Sequence, residues 1–214
     1  INTDDFDDIR YRHALLVEPI RGADGTPNFK QITSFHAGGI AWYGRYLYVS
    51  DTSKGFRVFD MTDMLRVSTG KSNSIGLHSN GEYYAFGYKY VIPQVGRYRL
   101  CSTSCCARFS FVAMDRTTSP PALVSGAYSD ANSNGRIHRW ILDASTKRLV
   151  LNQGVANPDK LLYPGVLRMQ GAVSAYGAYF VSSSQPKTTW VPSPGSLFYG
   201  WLNDSETGLH GYPG

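Results

Sequence analysis

The chain has 214 residues, of which 42% are hydrophobic and 17% charged, enough to bury a core in one large or two small domains. Lys plus Arg outnumber Asp plus Glu by 21 to 16, for a net charge of +5, but the basic residues are scattered (Arg10, Arg12, Arg21, Lys30, Arg45), which argues against a nucleic-acid-binding stripe. No apolar run approaches the roughly 18 residues of a spanning helix, and mean hydropathy is −0.27, so neither nucleic acid nor membrane is expected as a partner.

The balance of residue types favours strands. There are 15 Tyr, 10 Phe and 22 Gly, whereas Glu18, Glu82 and Glu206 are the sole glutamates. Short alternating or fully apolar runs recur between Gly, Pro, Asn, Asp and Ser clusters, and an all-β chain is expected. In order, strands are predicted over His13 to Pro19, Gly39 to Tyr43, Tyr46 to Asp51, Phe56 to Asp60, Tyr88 to Ile92 and Phe109 to Asp115. They continue over Ala122 to Tyr128, Arg136 to Leu142, Gly171 to Ala175, Tyr179 to Ser183 and Ser196 to Trp201. Met61 to Val67 reads either as two turns of helix or as a turn into a further strand.

One near-repeat distinguishes among all-β architectures. His36-Ala-Gly-Gly-Ile-Ala-Trp-Tyr-Gly-Arg-Tyr-Leu-Tyr-Val-Ser50 aligns with Met169-Gln-Gly-Ala-Val-Ser-Ala-Tyr-Gly-Ala-Tyr-Phe-Val-Ser-Ser183. Gly38 then matches Gly171, Tyr43 matches Tyr176, Gly44 matches Gly177 and Tyr46 matches Tyr179. The separation is about three periods of the roughly 40 to 45 residues that a four-stranded propeller blade occupies. A second echo pairs Gly55-Phe-Arg-Val-Phe-Asp60 with Gly135-Arg-Ile-His-Arg-Trp140.

These motifs resemble secreted β-propeller proteins of actinobacteria. The resemblance implies four-stranded antiparallel blades in a single domain over residues 1–214, and no activity, because propellers host binding modules and enzymes alike. Strand counting gives about three and a half blades where a closed ring of whole blades is needed. The expected ring is therefore incomplete at both ends and finished by flanking segments or by a second chain.

Secretion is expected: the start at Ile1 suits processing, and the sequon Asn203-Asp-Ser205 suits an extracellular loop. Cys101, Cys105 and Cys106 lie within one short stretch and suggest a local disulfide with one thiol left over. Asp130 to Gly135 reads as a hairpin turn more readily than as a calcium loop.

In a propeller, the loops entering the innermost strands converge on one face. That places His36, Asp51 and Asp115 as a candidate catalytic set, with His36 as general base or metal ligand and an aspartate orienting it. Gln170, Ser184, Arg116 and the loop residue Trp190 are the candidate substrate-binding groups. The leading expectation is a module that binds a carbohydrate or other polymer through Tyr and Trp. The rival is a secreted hydrolase or lyase built on the His/Asp set, with a divalent metal ion as the one cofactor contemplated. Glycines of nucleotide loops, nucleophile elbows and zinc-protease motifs are all missing from the chain.

Overall fold

The computed structural model describes residues 11–52, 54–99, 108–129, 135–184, 195–201 and 210–212. It is all-β. The single-domain expectation meets two compact units, one of residues 1–34 and 59–95, the other of residues 35–58 and 96–214.

The strands are β1 (Ala14–Arg21), β2 (Pro27–Gln31), β3 (Ala37–Tyr43), β4 (Tyr46–Asp51), β5 (Gly55–Asp60), β6 (Leu65–Arg66), β7 (Ile75–Leu77), β8 (Tyr83–Ala85) and β9 (Tyr90–Arg99). They are followed by β10 (Phe109–Asp115), β11 (Ala122–Ala127), β12 (Ile137–Ile141), β13 (Lys160–Leu162), β14 (Met169–Ala175), β15 (Ala178–Ser183), β16 (Ser196–Gly200) and β17 (His210–Tyr212). Every predicted strand is present, most within two residues at each end.

In the first unit, β1 pairs antiparallel with β2 and parallel with the start of β9, and β6 pairs with the same stretch of β9. Val17, Phe29, Ala85 and Val91 form its core. Met61 to Val67 is not helical: after one 3-10 turn at Met61–Asp63 the chain enters β6. Asp60 caps the start of that turn, its Oδ1 accepting from Thr62 N at 3.0 Å and Thr62 Oγ1 at 2.7 Å, and the turn ends at Met64, whose backbone is extended.

The second unit is built from stacked antiparallel sheets. β3, β4 and β5 follow one another in the first sheet; β10 to β17 are hydrogen-bonded as one eight-stranded sheet of order β13-β12-β11-β10-β14-β15-β16-β17, whose two halves, β10 to β13 and β14 to β17, are termed the second and third sheets. One parallel bridge, Asp115↔Ser174, links the second and third. Period-two alternation decides what lies between them. Ala41, Tyr48, Phe56 and Val58 of the first sheet meet Val112, Leu123 and Trp140 of the second. The opposite face of the second sheet, with Phe111, Val124, Ile137 and Leu162, meets Val181, Tyr179 and Met169 of the third. Trp140 is buried, and its Nε1 donates to Ser125 Oγ at 2.9 Å, which satisfies the indole in the core.

Close approach of β3 to β10 requires glycine. A Cβ on Gly38 would lie 2.6 Å from Ser110 O, and one on Gly39 would lie 2.8 Å from Val112 N. Neither contact is tolerable, so the Gly-Gly pair of the repeat is a packing requirement of this sheet junction.

Candidate functional site

Among the described residues, three hairpins of the second unit share one construction. In each, the register slips near the start of the first strand, between Ala37 and Gly39, between Phe109 and Phe111, and between Met169 and Gly171. Gly38, Ser110 and Gln170 are thus equivalent bulge residues. Each hairpin is closed by the same backbone bond. Thr52 N donates to His36 O at 3.1 Å, Tyr128 N to Arg108 O at 2.8 Å, and Ser184 N to Arg168 O at 3.1 Å. His36, Arg108 and Arg168 therefore occupy corresponding corners.

The repeat seen in sequence is real, but the structure moves its register by one residue. Tyr43 pairs with Tyr46 across the loop Gly44-Arg45, whereas Ala175 pairs with Ala178 across Tyr176-Gly177. Tyr43 therefore corresponds to Ala175, and Gly39, not Gly38, corresponds to Gly171. The turn types account for the false match. Gly44 supplies the positive φ of +58° at the first loop position, while Tyr176 and Gly177 carry +51° and +79° over both positions. A Tyr-Gly pair thus appears in both sequences at different places in the turn.

The corners of the first two hairpins, with the bulge of the third, line a cleft of about 360 Å³. Its side chains come from His36, Thr52, Arg108, Ser110, Tyr128 and Gln170. His36, Arg108 and Gln170 are exposed. Gln170 Nε2 donates to Ser184 Oγ at 3.3 Å, so of the sequence candidates His36, Gln170 and Ser184 come to one end of the hairpins. Ser110 Oγ donates to Met169 O at 2.6 Å and ties the second hairpin to the third beneath the cleft. Among the described residues the lining offers imidazole, guanidinium, amide and hydroxyl groups and no carboxylate.

The aspartates take other roles. Asp51 follows the same turn as His36 but is 1% exposed. Its Oδ2 accepts from Arg57 Nε at 2.9 Å and lies 3.7 Å from an Arg97 nitrogen. Held by two guanidiniums, Asp51 balances buried positive charge and does not orient His36. Asp115 sits at the other end of β10, bridged to Ser174 and paired with Ala122, while the cleft residues flank Phe109. β10 runs its full length between them, and the joint set His36, Asp51 and Asp115 is not assembled. Arg116 follows Asp115 and lies at that far end too.

Around Asp115 is a closed structural network. Its Oδ1 accepts from Thr117 N at 3.0 Å and Thr117 Oγ1 at 2.6 Å, and its Oδ2 accepts from Arg139 Nε at 3.0 Å. Arg139 also donates to Asp159 and Thr118. Burial pushes the Asp115 carboxyl up, but the Thr117, Arg139 and Ser174 hydrogen bonds outweigh it and hold the group below the usual carboxylate range.

Trp190, the three cysteines, the sequon and all of the Asp130 turn except Gly135 lie outside the described residues. Among the described residues no three His, Cys, Asp or Glu side chains gather as metal ligands. The cleft residues absent from the sequence reading are Thr52, Arg108, Ser110 and Tyr128. Arg108, Ser110 and Tyr128 belong to the second hairpin, Phe109 to Ala127, whose six-residue connection hides its kinship to the two-residue turns of the others.

No family model, curated protein or solved structure matches this chain.

Proposed function

We propose that the second unit is part of a β-propeller of four-stranded blades, and that its cleft binds an acidic carbohydrate polymer in an extracellular setting. The blade reading is supported by sheets stacked face to face, with equivalent inner strands β3, β10 and β14 starting at the same end. The binding reading is carried by one observation: an open cleft whose described lining is His36, Arg108, Gln170 and hydroxyl groups, with no carboxylate among the described residues. Hydrogen-bond donors dominate that surface, and a guanidinium recognises carboxylate or sulfate oxygens by paired bonds. Sugar hydroxyls suit the amide and hydroxyl groups beside it.

Hydrolysis by a His/Asp pair is the weaker reading. A general base needs its partner within hydrogen-bond reach, and Asp51 is committed to Arg57. Retention on immobilised polyuronate, compared with a neutral glucan, tests the proposal. Selective retention on the acidic polymer is expected, and Arg108→Ala weakens it about tenfold, the loss of one charge-assisted hydrogen bond. Equal retention on both polymers, or none on either, overturns it.

A further inference from the structure

The stacked sheets of the second unit use one kind of contact twice and leave both of its halves exposed at the ends. Residue by residue from the bulges, Ile40 corresponds to Val112 and Ala172, Trp42 to Met114 and Ser174, and Ala41 to Ala113 and Val173. One face of the second inner strand, with Val112 at 4% exposure and Met114, is covered by the first sheet. The corresponding face of the third, with Ala172 and Ser174, is covered by the second. On the first sheet no described strand plays that part, and Ile40 and Trp42 are 58% and 55% exposed.

The reverse face behaves in mirror fashion. Ala41, at 4% exposure, is buried against the second sheet, and Ala113 packs into the core against the third. Val173, at the same position on the third sheet, is 51% exposed. Phe180 and Tyr199 stand beside it across the strands, stacked with ring centroids 6.3 Å apart, and Leu197 on the same face is 47% exposed. An apolar face of this kind on a sheet marks an interaction surface.

The two open faces are therefore the donor half and the acceptor half of a contact that the chain already makes between its own sheets. We propose that a second copy of this chain closes it head to tail, with the Ile40/Trp42 face of one copy seated on the Val173/Phe180/Leu197 face of the other. The occupant is argued from continuity: the contact between first and second sheets, repeated between second and third, extends with the same partners at the same positions. Such a heterologous contact closes into a ring if the rotation permits and otherwise continues into longer assemblies. The inference rests on the stacking that supports the propeller reading and is independent of the cleft.

Sedimentation velocity of the 214-residue chain over a concentration series tests it, with folding of each variant checked by circular dichroism. Expected is a concentration-dependent species of at least twice the monomer mass. Trp42→Glu and Val173→Glu each place a charge on one half of the contact, at exposed positions where the monomer fold is retained. Each variant alone is expected to sediment as a monomer. An equimolar mixture of the two regains a dimer, since each supplies the half that the other lacks. A wild-type chain that stays monomeric throughout overturns the proposal. So does association that survives Val173→Glu, which an isologous pairing of Trp42 faces would give, or a mixture that stays monomeric, since the two intact halves would then not be complementary. Polyuronate retention measured on the same variants keeps the two proposals apart: the cleft residues are untouched, so retention is expected whatever the oligomeric state.

Discussion

His138 sits on β12 with its ring stacked on Trp140, centroids 5.9 Å apart, and edge-on to Phe109 at 5.4 Å. Its Nδ1 is buried without a hydrogen-bond partner. Burial foremost, then the charge of Arg136, lower its pKa to about 4. The unfolded chain, with a histidine near its ordinary value, binds the proton first as pH falls. Stability is therefore lost between neutrality and the folded value, by about 2 kcal/mol at about pH 5 relative to pH 7. Thermal melts at the two pH values read this, and His138→Phe, which keeps the aromatic stack and removes the titrating group, is expected to erase most of the difference. A variant with the same pH dependence as the parent would refute the assignment. Asp115 acts in the same direction as His138 but at lower pH: its contribution is present above the usual carboxylate range and is lost as pH falls through its depressed folded value. Both groups illustrate what the sequence could not convey. Asp115 and His36 have the residue types of a catalytic pair, but Asp115 ends β10 whereas His36, before β3, lies by the start of β10, and spacing along the chain does not encode that.

At the scale of the hairpin, the strands themselves were plain in the sequence because alternation and turn residues are local signals. β10 begins and ends where Phe109-Ser-Phe-Val-Ala-Met-Asp115 places it. β7, β8 and β13, three residues each, are too short to show a period, and their pairing is decided by tertiary contact. The Gly-Gly pair was visible as a repeat element, though its cause was not. Gly39 and Gly171 occupy equivalent positions, and a Cβ meets different surroundings at each. At Gly39 it meets backbone, Val112 N at 2.8 Å, whereas at Gly171 it meets the Ser182 hydroxyl at 3.0 Å, which can rotate away. Gly39→Ala is therefore expected to cost about 1–3 kcal/mol through a forced shift of the β3–β10 junction, and Gly171→Ala far less. Denaturant unfolding of the two variants checks this, and equal costs would show that the glycines serve the backbone of the bulge and not the space beside it.

For the whole molecule, the sequence contained no sign of two units, and the reason is the path of the chain. Of its three crossings between the units, that at 34/35 lies in the short loop between β2 and β3, and those at 58/59 and 95/96 fall within β5 and β9, so no long Gly-, Pro- or Ser-rich linker announces them. Charge and apolar surface, by contrast, are properties that the sequence supplies and the fold sorts. The +5 excess and the Arg108 and His36 corner favour an anionic polymer through forces that salt screens over about 10 Å at 0.1 M. The Ile40/Trp42 and Val173 faces would associate by burial of apolar area, which salt leaves intact or strengthens. Ionic strength should thus separate the two proposed interactions in one preparation. Raising sodium chloride to about 0.5 M, where the screening length is a few ångströms, is expected to weaken polyuronate retention several-fold while the sedimenting dimer fraction holds or rises. If the dimer fraction fell together with retention, the copies would be held by charge, and the contact between them could not be the apolar one that the three sheets repeat.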